Sequence, residues 1–201
     1  MKIGVVTAFI NTEMETSTLL HAIRVIDPSI LIVDDEILVR IHDSIAIPIH
    51  LFPSKSMETM PMTRPNRSIR SGIDISDTCL LLYSGDTNHP TRMTHRQSLS
   101  QPLRIHFSMQ LNAFDRIFTC LPFHSAGLLP PILAILSGAP VILSSSDHIW
   151  THIRLSKSTI LHFADPLCRM LLDAPSTLQD AEHQLRAAFG IGLSHGIRST
   201  F

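Results

Sequence analysis

Residues 84 to 92, Ser-Gly-Asp-Thr-Asn-His-Pro-Thr-Arg, follow the apolar run Leu80-Leu81-Leu82-Tyr83. An apolar strand that runs into small, hydroxylated and basic residues is a place where a phosphate can be held. Backbone N–H groups converge there when glycine allows unusual φ/ψ, hydroxyls donate to phosphate oxygens, and a basic side chain supplies charge. Ser84, Gly85 and Thr87 suit that chemistry, with Thr91 and Arg92 at the far side of the turn. Asp86 opposes it. A carboxylate about 4 Å from a phosphate charge is repelled by up to about 4 kcal/mol at an effective dielectric near 20. There is no GxxxxGK[ST] pattern, and by spacing alone the stretch reads equally as an ordinary strand–turn.

Other residues invite chemistry of their own. His124 sits in Cys120-Leu-Pro-Phe-His-Ser-Ala-Gly127, where a strand ends and Pro122 turns the chain. At the carboxyl end of a strand in an open α/β sheet such a histidine can face a ligand; a local backbone carbonyl can also satisfy it. Gly190 and Gly192, with Gly196 beyond, lie where a strand enters a turn, a position that lets a ligand or another backbone approach closely. His148 and His152 share the i, i+4 spacing of a metal pair, yet no third ligand stands nearby and HExxH is missing. Their spacing predicts a solvated helix face and no metal site. Ser194-His195 and His124-Ser125 are sequence neighbours whose side chains diverge, and there is no GxSxG elbow, so no nucleophile is assigned.

Strands alternating with helices must position these residues. Leu19, Ala22, Ile23 and Ile26 form an apolar helical stripe that Asp27-Pro28 ends. Ile30 to Asp35 is an apolar run suited to a buried parallel strand, and 45 to 52 is a second strand that Pro48 pushes towards an edge. These belong to an αβαβ segment over 1–52. Residues 53–76, with three prolines and the cluster Arg64, Arg67 and Arg70, read as a linker loop. From 77 to 201 the pattern is regular. It predicts strands at 78–83, 116–121, 140–143, 159–164 and 185–193. Between them stand a weak helix from His95 interrupted by Pro102, one with Gly138 as C-cap, one over 146–156, and one with Asp165-Pro166 as N-cap and N1. Together these indicate an α/β fold, a mostly parallel sheet flanked by helices.

Composition agrees with a globular chain. Of 201 residues, 44% are hydrophobic and 16% charged, and the formal net charge is −1, so no basic footprint for nucleic acid exists. The three cysteines lie far apart in apolar runs, as reduced, buried thiols of an intracellular protein do. No apolar stretch has the length of a membrane span, the longest being Leu128 to Leu136, and the cytoplasm is the expected location.

Four segments, in order, carry a resemblance. KIGVVTAFINT followed by LLHAI opens the series. YSGDTNHPTRMTHR is similar to a TSGTTGxPK…HxR loop, and DRIFTCLPFHSAGLLPPILAILSGAPVIL to D…CLPLYHSAG…GxxVV. LCRMLLDAPSTLQDAEHQLRAAFGIGLSHGIRSTF follows LCRYLLNxP…H.VR.A.GNGLR..IW..F at matching spacing. The whole resembles the adenylate-forming, AMP-binding acyl-CoA synthetases, in the fatty acid transport protein and very-long-chain acyl-CoA synthetase branch.

The resemblance implies part of an adenylate-forming N-terminal domain. It also implies a parent chemistry that activates a fatty or other carboxylic acid with ATP and Mg²⁺ and passes it to coenzyme A. It carries the phosphate grip onto Ser84, Gly85 and Thr87, and the adenylate and acyl pocket onto His124, Gly190 and Gly192. Asp86 stands where the branch has threonine, Asn88 where it has glycine and Thr91 where it has lysine. The turn is about two residues short, and LPFHSAG is one residue short. YGxTE, the ribose-binding aspartate and the C-terminal lysine have no counterpart. The expectation is a central fragment with a degraded phosphate loop, no catalytic residue of its own and no acyl-CoA synthesis alone. The alternative is a non-catalytic acyl-binding or partner-binding module. Self-association, or pairing with a separately encoded remainder of the enzyme, is expected. The branch adds peroxisomal or endoplasmic reticulum membranes as alternative locations.

Overall fold

The computed structural model describes residues 3–53, 63–64, 66–83, 89–123, 126–179 and 181–193. The chain divides into two compact units, Met1–His95 and Arg96–Phe201.

In the first unit β1 (Thr7–Phe9) precedes the amphipathic α1 (Thr16–Ile26). Leu19, Ala22 and Ile23 of α1 are buried, as its stripe predicts, and Asp27 ends the helix in the left-handed region at φ 48°. β2 (Leu31–Val33) leads into α2 (Asp35–Ile41), whose N-cap Asp34 accepts from the Ile37 N–H at 2.8 Å. β3 (Ile49–Leu51) pairs parallel with β2, and Leu31 N–H donates to the carbonyl of Pro48. Leu19, Ile23, Leu31, Ile37 and Ile41 make one small core. Arg40 fastens the turn before α1, donating to the carbonyls of Thr12 and Met14 and to Thr16 Oγ1. In the linker, Arg67–Arg70 forms a 3₁₀ turn and stays exposed. A second sheet has the order β1-β4-β5, where β4 (Thr78–Leu82) runs parallel to β1 and antiparallel to β5 (Thr91–Thr94).

Neither β1 nor β5 is anticipated by residue pattern. Each is too short for an alternation to register, and pairing with β4 makes it a strand.

The second unit holds a parallel sheet of order β7-β6-β8-β9, formed by β6 (Ile117–Thr119), β7 (Val141–Leu143), β8 (Ile160–Ala164) and β9 (Ala187–Ile191). Side chains alternate across it. Ile117, Ile160 and Phe189 join Leu133 of α4 (Leu129–Ser137) in one core. Phe118, Leu161 and Phe163 join α5 (Ile149–Ser156) and α6 (Asp165–Asp173) in the other. Gly138 caps α4 at φ 77°, as expected. None of the three cysteines forms a disulfide; Cys79 and Cys168 are buried and Cys120 is half-buried.

Three local expectations are corrected. α3 (His95–Ser108) runs unbroken through Pro102, because the ring is fully buried and its packing offsets the lost backbone bond. The N-cap of α6 is Ala164, one residue before Asp165, so Pro166 falls at the second helical position and Asp165 faces Arg169 at 2.9 Å. His148 lies outside α5, in the left-handed region at φ 53°, so it shares no helix face with His152.

Candidate functional site

The chemistry-bearing stretches fall into two places, one in each unit. In the first, the register Leu82↔Thr91 and Leu81↔Arg92 pairs β4 with β5 antiparallel. The predicted residues Ser84, Gly85, Asp86 and Thr87 lie outside the described residues. Thr91 and Arg92 are described and exposed. Thr91 stands on the last rung of the hairpin and Arg92 one rung below, so the arginine side chain rises from the sheet rather than from the loop. Tyr83 is buried where the chain enters the loop, and burial raises its phenol pKa. In the sequence from 84 to 92 the only permanently charged cation is Arg92 and the only acid is Asp86. A grip on Mg²⁺-bound triphosphate calls for converging N–H groups and a positive side chain within the turn.

A shallow cleft of about 250 Å³ also lies in this unit, lined by Thr12, Ile32, Val33, Asp34, Ile37 and Phe52. It contains none of the predicted site residues, and its one carboxylate, Asp34, is engaged in capping α2.

In the second unit the fold brings two predicted segments to the strands on either side of β8. The segment bearing His124 leaves the carboxyl end of β6, and Gly190 is on β9, with β8 between them. His124 itself lies outside the described residues, but both ends of its turn are described. Leu121 N–H donates to Thr119 Oγ1 at 3.2 Å, and Gly127 N–H donates to the carbonyl of Pro122 at 3.1 Å. A Cβ on Gly127 would sit 2.2 Å from the Leu121 oxygen, so only glycine lets the turn close on itself.

Gly190 faces Phe163 in register, and a Cβ there would lie 2.1 Å from the Phe163 carbonyl oxygen. The close approach that the sequence predicts is therefore made by a neighbouring strand. Gly192, at φ 79°, allows the strand to turn beside Asp165.

Residue pattern alone misses the polar centre of this sheet. Thr119 and His162 are buried among apolar side chains, with Thr119 Oγ1 3.0 Å from His162 Nδ1. The His162 ring stacks on Phe189, centroids 4.8 Å apart. Burial lowers the His162 pKa to about 4, so it is neutral at physiological pH. The available signal was a histidine in the middle of the otherwise apolar strand ILHFA.

His152 is half-buried, with Nδ1 2.7 Å from Ser144 Oγ, so it is tied to the end of β7 and does not belong to a solvated face. At the amino ends of the strands Asp115 is buried and receives Nε and Nη2 of Arg186 at 2.8 and 2.7 Å, and Thr159 Oγ1 at 2.8 Å. Its hydrogen bonds from Arg186 hold the carboxyl at about 2. That cluster lies at the end of the sheet opposite the candidate site and fastens β9 to the Asp115 turn. Burial raises the thiol pKa of Cys120 and Cys168, which makes them poor nucleophiles. Among the described residues, no three His, Cys, Asp or Glu side chains are grouped to hold a metal ion, and no helix is long and apolar enough to cross a membrane.

No family model matches the chain. Curated relatives align with nearly all of it. The very long-chain fatty acid transport protein of Cochliobolus heterostrophus is 26% identical over 216 residues, covering 99% of this chain and 33% of that protein. The medium/long-chain-fatty-acid–CoA ligase FadD6 of Mycobacterium tuberculosis is 25% identical, covering 100% and 36%. The chain thus spans about a third of the length of the curated relatives it matches. Among solved structures, the N-terminal domain of FACL13 from Mycobacterium tuberculosis superposes with a TM-score of 0.82 at 15% identity, covering 99% of this chain and 54% of that one. The o-succinylbenzoate CoA synthetase of Bacillus subtilis gives 0.72 at 16% identity, covering 95% and 50%. These likenesses give the fold: a mixed α/β arrangement of parallel sheets and flanking helices that matches the N-terminal domain of CoA ligases. Over nearly its whole length the chain is similar in sequence to fatty acid transport proteins and acyl-CoA ligases, and in fold to the N-terminal domain of adenylate-forming CoA ligases.

Proposed function

We propose that this chain is an acyl-CoA-synthetase-like protein that does not activate an acid on its own. Its parent chemistry is adenylation of a fatty or other carboxylic acid by ATP and Mg²⁺, followed by thioester formation with coenzyme A. In this reading Ser84, Gly85 and Thr87, with Thr91 and Arg92 beyond them, are the remnant of a phosphate grip, and Asp86 opposes it. His124, Gly190 and Gly192 border the adenylate and acyl side. No residue is assigned a catalytic step.

One observation carries the reading. In a chain alignable end to end with acyl-CoA ligases, the turn meant for phosphate has a carboxylate and no lysine. Adenylation depends on positive charge aimed at the reacting phosphate. Isothermal calorimetry with Mg²⁺·ATP and a fatty acid tests it: no binding heat is expected, and micromolar binding overturns the reading.

A second reading, a non-catalytic acyl-binding module, is favoured by the second unit, whose sheet has an apolar core on both faces. A fluorescent fatty acid that binds with a Kd insensitive to ATP distinguishes it. Among the described residues β2 and β3 pair only with each other, leaving Ile32 and Phe52 exposed. That supports self-association or pairing with a separately encoded remainder, which light scattering on the purified chain reports. We propose an intracellular, cytoplasmic location, with association with peroxisomal or endoplasmic reticulum membranes, which the branch suggests, as the alternative.

A further inference from the structure

We propose that the outward face of α3 docks on an anionic lipid bilayer, with Leu103 and Phe107 entering the headgroup layer and Arg96 and Arg104 meeting the lipids' phosphate and carboxylate groups. The inference names a surface for the membrane association given above as the alternative location and rests on that location; it uses nothing of the nucleotide chemistry.

Helical spacing defines the face. Ser98 and Pro102 of α3 are buried, and Ile105 packs against the core of the parallel sheet. They stand at i, i+4 and i+7 and mark the inward stripe. Arg96, Ser100, Leu103 and Phe107 recur at i, i+4, i+7 and i+11 on the opposite side, with Arg104 beside Leu103, and all five are exposed. The outward stripe of a helix that meets only water is polar. Here Phe107 is 72% exposed, its ring edge-on to that of His106, and Leu103 is 37% exposed. Charge selects the partner. From Arg96 to Phe114 the sequence has two arginines and no Asp, Glu or Lys, in a chain whose formal net charge is −1. The next acid, Asp115, is buried and paired with Arg186, so it does not repel an anionic surface. Phe114, in the turn after the helix, is 94% exposed. Apolar side chains flanked by arginines suit a bilayer interface, where the acyl boundary takes the rings and the anionic headgroups take the cations.

Sedimentation of the full chain with vesicles tests this. Binding is expected to phosphatidylcholine vesicles containing phosphatidylserine, weaker as salt rises, and little to pure phosphatidylcholine. Phe107→Ser should weaken the partition about tenfold, the scale of burying one aromatic side chain. Arg96→Gln and Arg104→Gln should each weaken it about fivefold, on anionic vesicles alone. Leu155→Ser, on α5 at the other face of the sheet and likewise exposed, should leave it unchanged. Phe107→Trp should bind as the parent does, and brominated lipid should quench the emission it adds while sparing that of Trp150. All these positions are on the surface, so the variants should keep the parent's Tm. The proposal is overturned if the parent ignores anionic vesicles, if Phe107→Ser or the glutamine variants bind as the parent does, or if the added tryptophan is not quenched. It is overturned too if light scattering finds a dimer that Phe107→Ser makes monomeric, which assigns the face to a second copy. Anionic vesicles that hold every variant equally sink this surface and leave the membrane location standing; a parent that binds no vesicle sinks both. None of these measurements uses ATP or a fatty acid, so they stand apart from the test of acid activation.

Discussion

In the first unit the described candidate residues, Thr91 and Arg92, are exposed on a short edge strand beside a hairpin loop. In the second, the candidate segments flank β8, where Ile160, Leu161, His162 and Phe163 are all buried. The first place is governed by which charges the turn presents to water, and the second by what fits between strands. Substitutions in the hairpin should therefore change affinity and leave stability alone. Substitutions beside β8 should change stability before anything else. A protein can lose the first kind of site by a few point changes and keep its fold, whereas the second kind persists for as long as the sheet does.

The sharpest way to break this contrast is at glycine. Gly190→Ala places a methyl 2.1 Å from the Phe163 oxygen and should cost about 3 kcal/mol or more in urea unfolding. Gly72→Ala in the first unit meets nothing within 4 Å and should stay within about 0.5 kcal/mol.

Acid separates the units next. His162 has a pKa of about 4 folded and near 6.5 unfolded, so between those values the unfolded chain binds more protons. Stability should be level above pH 6.5 and fall by about 3 kcal/mol as pH drops to 4, and His162→Asn should remove that slope. Asp115 acts lower. Its folded value of about 2 lies below the usual 3.8, so its contribution is present above 3.8 and disappears as pH falls through 2. Arg186→Ala should cost about 2 kcal/mol at neutral pH, midway between surface and buried pairs because Arg186 is 41% exposed. It should also flatten the acid limb of a pH–stability curve.

In the hairpin, Asp86→Thr combined with Thr91→Lys should raise Mg²⁺·ATP affinity about tenfold by calorimetry, about 1.4 kcal/mol, with Tm unchanged. The smallest effect belongs to Arg169→Ala, which breaks an exposed i, i+4 pair and should cost about 0.3 kcal/mol.

Much of the fold was legible in the residues. The stripe of α1, the glycine after α4 and the apolar runs of β6, β7 and β8 all stand where local pattern puts them, because helix and strand periodicity are local quantities. Pro102 misled because a burial that local pattern does not show outweighs one lost backbone bond. His148 misled because spacing assumes both histidines are helical, and the chain enters α5 only after it. Of the candidate site, the motif segments were legible and their neighbours were not. That Gly190 makes room for Phe163 depends on a strand register no spacing reveals.

The sequence by itself determined the alternation of strands and helices, the family likeness and the carboxylate of Asp86 in the stretch after β4, since each is read from consecutive residues. Only the tertiary structure decided that Thr119 meets His162 across 43 positions and Asp115 meets Arg186 across 71. Those pairings depend on parallel strands packing side by side, which brings distant residues into a dry interior where every polar group must find a partner.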